Sequence, residues 1–238
     1  MSSMKWKTAI RYQVSDMVKP LTIYYIILYG IVGLIQIITR FYNGDTGFSG
    51  LEMSSMIFLF FCGVYAFLED FRFFIQNGLT RKNIFKSQML LFLFVAVLMG
   101  SLELIVENSF VFQEEHQSVF QTVYGYEYSI GIEWIWRICL YLMIVNLAFL
   151  STIIQNRIGK RPFLLILITL ILVCVMLLPA VNVWMDGRLA AAVFPFLLKL
   201  VGVTKDGIHI LYPFVTFLGI SLISMGISFL LFRRAEVK

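Results

Sequence analysis

The chain has 238 residues, of which 60% are hydrophobic and only 14% are charged, and its mean hydropathy is +0.86. Soluble domains carry about 25% charged residues, so this composition excludes an ordinary soluble protein. It predicts an all-α polytopic membrane protein that forms a single domain over residues 1–238. The formal net charge of +5 does not indicate nucleic-acid binding, because basic residues in a membrane protein set its orientation.

The N-terminal region, residues 1–19, contains the stretch KWKTAIRYQVSDMVK. In it, apolar side chains recur at helical spacing among basic residues, at Trp6, Ile10, Val14 and Met17. This pattern predicts a helix that lies in the inner membrane interface. A solvated tail is the alternative interpretation.

Six apolar runs follow, and each has roughly the 20 residues needed to cross about 30 Å of hydrocarbon. They cover Leu21–Thr39, Met53–Leu68, Met89–Val106, Ile135–Ile154, Phe163–Val183 and Leu211–Phe232. Residues 107–133 read as a polar outer loop. Residues 186–210 are apolar but are broken by Pro195 and Lys199. We expect this segment to form an outer re-entrant hairpin before the last span rather than to cross the membrane.

Lys and Arg residues are distributed unequally between the two sides of this layout. With a cytoplasmic N-terminus, all but five of the 19 basic residues fall on the cytoplasmic side. The five on the outer side are Arg40, Arg137, Arg188, Lys199 and Lys205. The positive-inside rule therefore predicts that both termini are cytoplasmic.

The cytoplasmic loop over residues 69–86 contains the stretch DFRFFIQNGLTRKNIF, from Asp70 to Phe85. Asn77 and Gly78 tolerate the left-handed conformation that closes a helix, and Thr80 suits the N-cap of the next helix. The pattern predicts a tight helical elbow with aromatic side chains beside cations. Such a surface suits docking into a groove on another protein. A membrane-edge hairpin, with aromatic rings at the headgroups and cations on phosphates, explains the residues equally well.

This loop resembles the first cytoplasmic loop of the membrane subunits of bacterial type 2 ABC exporters. That group includes Gram-positive lantibiotic and bacitracin immunity permeases and phenol-soluble-modulin exporters. The matching residues are Phe74, Asn77, Gly78, Thr80, Arg81, Lys82 and Phe85. The basic N-terminal helix, the six spans and the broken apolar hairpin before the last span are similar to that family as well.

The resemblance implies that residues 69–86 carry a coupling helix that docks in a cleft of a separate ATP-binding subunit. The docking residues would be Phe71, Arg72, Phe74, Asn77, Gly78, Arg81 and Lys82. It also implies two permease subunits, as a homodimer or a heterodimer, with two ATP-binding subunits that hold ATP and magnesium. The chain itself would bind no cofactor.

The chain carries no phosphate-binding motif G-x-x-x-x-G-K-[ST], because its Gly159-Lys160 pair is followed by Arg161. By resemblance, we expect a non-enzymatic subunit of an exporter in the bacterial plasma membrane. Its cargo would be a hydrophobic or amphipathic molecule such as a peptide toxin or antimicrobial peptide. The alternatives are a stand-alone secondary transporter and an immunity permease that acts on lipid or drug. An intramembrane metalloenzyme is disfavoured, since the two histidines, His116 and His209, both fall in outer segments.

Four ionisable residues lie near the outer ends of the third and fourth spans. Glu103 and Glu107 share one helix face, and Glu133 and Arg137 share another, because each pair is four residues apart. The two pairs are predicted at similar depth. They therefore predict either a carboxylate–guanidinium link between neighbouring helices or a contact for cationic groups of a substrate.

Small residues punctuate the first and sixth spans, at Gly30 and Gly33 and at Gly219 and Gly226. Small residues let helices approach closely in a membrane. They would serve either packing within the chain or, by the resemblance, contact with a second permease subunit.

Overall fold

A computed structural model describes residues 2–41, 48–68, 70–108, 116–125, 128–185, 187–204 and 207–233. Its helices are α1 (Ser2–Phe41), α2 (Leu51–Leu68), α3 (Asp70–Gln76), α4 (Arg81–Glu107), α5 (Val119–Tyr124), α6 (Ile130–Ile158), α7 (Lys160–Leu172), α8 (Leu178–Trp184), α9 (Arg188–Leu200) and α10 (Leu211–Phe232). A π-helical turn, Val173–Leu177, joins α7 to α8. Two-residue strands β1 (Phe48–Ser49) and β2 (His116–Gln117) pair in parallel, and β3 (Val203–Thr204) and β4 (Gly207–Ile208) pair antiparallel.

Five helical segments are long and apolar enough to cross a membrane. They are Trp6–Ile38, Arg81–Glu107, Ile130–Ile158, Lys160–Trp184 and Leu211–Phe232. Helix α2 is equally apolar but shorter, with 18 residues. The chain is therefore a helical, membrane-embedded protein, as its composition predicts.

Helix α1 differs from the expected interfacial helix followed by a separate first span. It runs without interruption for 40 residues and contains Pro20. On either side of this proline, Met17 and Leu21 pack on the same core. The apolar face that packs on both sides of Pro20 explains why the helix continues through the boundary predicted between residues 1–19 and the first span.

Helix α6 is the centre of the bundle and packs against α2, α4 and α10. The contact with α2 is close because Gly63 carries no side chain. A Cβ atom at Gly63 would lie 2.6 Å from the carbonyl oxygen of Val145 and 2.8 Å from the Cβ of Ala148. Only glycine therefore lets α2 lie at this distance from α6.

The two ends of the bundle have different cores. At one end, here called the elbow end, lies an aromatic cluster formed by Phe67, Phe71, Phe74, Phe85, Phe92, Phe149 and Phe232. At the opposite end, here called the far end, a second core surrounds Trp136 and Tyr141. The N-terminal part of α1 and the last turn of α10 both lie at the elbow end, because Ala9 and Phe232 belong to the core there.

The outer loop predicted over residues 107–133 is not entirely loop, since it contains the short helix α5. Ser118 and Gln121 form a capping box at its start, and Phe120 and Tyr124 are buried against Trp136. Residues 109–115 and 126–127 of this loop lie outside the described part. Helix α5 covers the far end of the bundle because its two aromatic rings face inward.

The segment 186–210 forms α9, with Pro195 inside it, and then the β3–β4 pair. The hydroxyl of Tyr124 donates a hydrogen bond to the carbonyl oxygen of Val201 at 2.7 Å, which places the end of α9 at the far end. Helices α7 and α8 carry no buried residue among those described. Helices α7 and α8 therefore pack little against the central bundle.

Candidate functional site

The elbow between α3 and α4 is closed by backbone hydrogen bonds. Gly78 has φ 74°, its N–H bonds to the Ile75 carbonyl at 3.0 Å, and the Leu79 N–H bonds to the Phe74 carbonyl at 3.0 Å. This pair of bonds is the Schellman closure, which requires a left-handed residue at the Gly78 position. Thr80 then caps α4, and its side chain accepts from the Asn83 N–H at 3.4 Å. The helix stop and the N-cap expected from the sequence are both present.

Two of the expected docking residues face the interior instead of the surface. Phe71 is 3% exposed and Phe74 is 2% exposed, because α3 turns this face toward α1 and α10. Phe71 contacts the ring of Phe232, and Phe74 contacts the ring of Tyr12. Neither ring is available as a surface anchor, so that part of the sequence prediction is corrected. The neighbouring Phe73 is 43% exposed and is the aromatic side chain that the elbow presents.

The polar residues of the elbow also divide into two groups. Arg81 is half-buried and donates from Nη1 to the carbonyl oxygen of Arg233 at 2.8 Å, which ties the elbow to the end of α10. The side chain of Arg72 lies outside the described part. The exposed residues of the elbow, among those described, are Phe73, Gln76, Asn77, Gly78, Thr80 and Lys82. The exposed face therefore includes an aromatic ring and a cation.

At the far end, the guanidinium of Arg137 is fully buried among three carboxylates. Its Nη2 atom lies 2.6 Å from Glu133 Oε1 and 3.2 Å from Glu52 Oε1, and it also contacts Glu107 Oε2. The charge cluster, defined as Glu52, Glu107, Glu133 and Arg137, joins α2, α4 and α6. The link between the third and fourth spans that the sequence predicted is therefore present.

Glu52 is the member of this cluster that the sequence reading missed. It lies at the N-terminal end of α2, and its Oε1 also accepts from the Val119 N–H at 3.0 Å. The carboxylate thus connects the α5 cap to the bundle. Its place directly before the second span could have indicated an outer partner for Arg137, because both residues are predicted at the same membrane boundary.

The charge cluster contains more negative than positive groups. The three carboxylates lie within 4.8 Å of one another, with one guanidinium among them. Glu52 Oε2 and the Nε and Nη1 atoms of Arg137 are buried and have no hydrogen-bond partner in the described structure. Buried polar atoms are nearly always paired in proteins. The arrangement can therefore accommodate protons or a small cation beside the carboxylates, or water on the guanidinium.

Glu103 is bonded differently from the expected link to Arg137. It accepts a hydrogen bond from the Tyr25 hydroxyl at 3.0 Å and further bonds from the hydroxyls of Ser55 and Tyr141. Ser55 in turn bonds to the hydroxyl of Tyr24 at 2.9 Å. These hydroxyl residues lie inside apolar runs, and nothing in their spacing indicated that they would converge. The result is a buried carboxylate that holds α1, α2, α4 and α6 together.

Comparisons of the chain with protein-family models, with curated proteins and with solved structures found no match. Two features of the described structure bear on function. One is the exposed face of the elbow, and the other is the set of buried carboxylates at the far end.

Proposed function

We propose that this chain is the membrane-spanning permease subunit of a bacterial ABC exporter in the plasma membrane. In this proposal α2 is the second of six spans, and the elbow and the ends of α1 and α10 that lie beside it are cytoplasmic, together with both termini. The asymmetry of Lys and Arg supports this orientation. So does the common location of the α1 N-terminal part, the elbow and the α10 C-terminus at one end of the bundle.

The elbow is the feature that most directly supports a contact with an ATP-binding subunit. Its exposed face offers Phe73 and Lys82 to a partner, while Phe71 and Phe74 fix it from inside to α1 and α10. Arg81 adds a bond to the last residue of the described chain, Arg233. A force on the elbow is thereby transmitted to the ends of several spans at once. This is the mechanical property that coupling to an ATP-binding subunit requires.

ATP and magnesium would be bound by two copies of that partner subunit. Closure of the two copies would move both elbows and shift the spans between inward-open and outward-open arrangements. The cargo, a hydrophobic or amphipathic molecule such as a peptide, is inferred from the resemblance.

A second permease subunit fits the surfaces that this chain leaves open. A Cβ atom at Gly30, Gly33, Gly219 or Gly226 would meet nothing within 4 Å. Packing within the described part of the chain therefore does not explain these glycines. Helices α7 and α8 likewise leave their apolar side chains uncovered in the described structure.

The test is copurification of an ATP-binding subunit with the chain, followed by ATPase and transport assays in liposomes. Phe73→Asp places a charge at the proposed contact and is expected to weaken assembly about 100-fold. The matched control is Phe41→Asp, because Phe41 is 83% exposed at the opposite end of α1. Gly78→Val strains the left-handed turn and is expected to uncouple hydrolysis from transport. Wild-type assembly and coupling in both elbow variants would reject the proposal.

An ion-coupled secondary transporter is the second candidate, and the buried carboxylates favour it. Intramembrane ionisable groups are costly and often mark ion pathways. This candidate predicts uptake or efflux driven by a proton or cation gradient in liposomes that contain the chain alone. Glu103→Gln should abolish that transport. If a proton or cation gradient drives no transport by the purified chain, this candidate is eliminated.

A further inference from the structure

A cavity of about 580 Å³ lies between α1 and α2, and Leu91 of α4 contributes to its wall. The α1 side carries Gln13, Asp16 and Lys19, followed by Ile23 one turn further toward the far end. The α2 side consists of aromatic and small residues, which are Phe58, Phe61, Cys62, Tyr65 and Ala66. The volume of the cavity falls within the roughly 300–1,000 Å³ that is typical of small-molecule sites.

The cavity is amphipathic along its length. Asp16 and Lys19 are exposed and lie on the elbow-end part of α1, three residues apart on neighbouring positions of the helix surface. Pro20 has no N–H, so the carbonyl of Asp16 lacks its usual helical donor and adds an acceptor at this end. Beyond these groups, Ile23 and Phe61 are exposed at the side of the bundle. The cavity therefore opens sideways toward the surrounding hydrocarbon.

We propose that this cavity binds a phospholipid of the membrane leaflet at the elbow end. One acyl chain lies along the apolar side chains of Phe58, Phe61 and Leu91. Lys19 binds the phosphate, and Asp16 accepts hydrogen bonds from an ammonium or hydroxyl group of the headgroup.

The distribution of polar groups favours a lipid over a peptide. Charged groups lie only among the α1 residues at the mouth of the cavity, and the α2 wall has only the Cys62 thiol and the Tyr65 hydroxyl as polar groups. A peptide that entered would bury backbone N–H and C=O groups with almost no partners, which is unfavourable because water is absent from the hydrocarbon region. An acyl chain has no such groups. The site requires only that the chain is embedded in a membrane, so it is independent of the proposed ATPase partner.

The experiment uses the purified full chain in liposomes doped with a phospholipid that carries a diazirine in the middle of one acyl chain. After irradiation, mass spectrometry maps the adducts. We expect adducts on residues 58–66 of α2 to exceed those on residues 164–168 of α7, which are exposed and do not line this cavity. Lys19→Glu should lower the α2 adducts about tenfold, the usual effect of losing one charge-assisted hydrogen bond. Lys19→Arg should restore them, and Lys7→Glu, at an exposed lysine of the same helix, should not change them.

Thermal unfolding of each variant verifies that these surface changes leave the fold intact. Equal adduct density on α2 and α7 in the wild type would overturn the proposal, because it would show bulk lipid contact only. Unchanged α2 adducts in Lys19→Glu would overturn the assignment of the headgroup site. A diazirine-bearing amphipathic peptide that labels residues 58–66 and displaces the lipid adducts would assign the cavity to peptide instead.

Discussion

At the elbow end and at the far end of the bundle, helices α2, α4 and α6 meet through different kinds of contact. At the elbow end, α2, α3, α4, α6 and α10 meet through phenylalanine rings, such as Phe71 and Phe232 with centroids 4.8 Å apart. At the far end, α2, α4 and α6 meet through Arg137 and three carboxylates, and Glu103 binds hydroxyl groups of α1, α2 and α6. Phenylalanine rings form no conventional hydrogen bonds, whereas the far end adds directional hydrogen bonds and ion pairs to its own apolar core around Trp136.

This difference indicates how each end responds to small movements of its helices. Apolar packing tolerates small sliding movements better than a buried ion pair does, because the burial of apolar surface is non-directional. A buried charge cluster does not, since each lost partner leaves an uncompensated charge. The elbow end is thus suited to move with a partner, and the far end to hold helices in a fixed relation. The predictions below test this contrast.

The largest effect is expected at Arg137. Arg137→Ala leaves three carboxylates together without a cation and should cost about 3–5 kcal/mol of unfolding free energy. Thermal or denaturant unfolding in detergent measures it. Adding Glu107→Gln should recover part of the loss, because one uncompensated charge disappears. Strict additivity of the two changes would show that the charges do not act as a unit.

Gly63 lies between the two ends and sets the distance of α2 from α6. Gly63→Ala forces the helices apart and should cost about 1–3 kcal/mol, since its Cβ would lie 2.6 Å from a backbone oxygen. Gly131→Ala, at an exposed position of α6, is the matched control, because a Cβ there meets nothing within 4 Å. That control should be neutral or slightly stabilising. Equal stability of the two variants would contradict the close α2–α6 packing.

Part of this arrangement could be read from the sequence, and part could not. Apolar run length indicated the five helical segments that are long enough to cross a membrane, and the Asn77-Gly78 pair with Thr80 located the elbow, because both signals are local. The i, i+4 spacing placed Glu133 beside Arg137 for the same reason. The third carboxylate, Glu52, was not predicted, because its contact depends on which spans are neighbours.

Two predictions from local patterns were wrong because they depend on tertiary packing. Phe71 and Phe74 were predicted at the surface, but α3 is short and turns them under Tyr12 and Phe232. A single sequence shows that a helix is amphipathic but not which neighbour covers its apolar face. Likewise, a boundary was predicted between the interfacial helix over residues 1–19 and the first span, but α1 runs through it without interruption.

At the elbow end, a smaller effect is expected from Phe232, whose ring contacts Phe67, Phe71 and Phe85. Phe232→Leu keeps most of the apolar volume but loses the ring contacts, and should cost about 1 kcal/mol. Phe41→Leu, at an exposed ring, should cost nothing measurable. A loss at Phe232 as large as that at Arg137 would remove the proposed contrast between the two ends.

The smallest effect is expected for the hydrogen bond between α6 and α10. Asn146 Nδ2 donates to Ser221 Oγ at 2.9 Å in a buried position. A double-mutant cycle with Asn146→Leu and Ser221→Ala should give a coupling of about 0.6 kcal/mol, the average for such bonds in membranes. A coupling near zero would indicate that packing alone joins these two helices.

The central claim is that the elbow presents Phe73, and not Phe74, to an ATP-binding subunit at the cytoplasmic face. A photo-crosslinking amino acid at either position in the native cell tests it directly, with the adducts identified by mass spectrometry. The account predicts a crosslink to a nucleotide-binding ATPase from position 73, and adducts only within the chain from position 74, where the side chain is buried. Adducts only to lipid or to the chain itself from position 73 would contradict the account and make this elbow an ordinary membrane-edge hairpin.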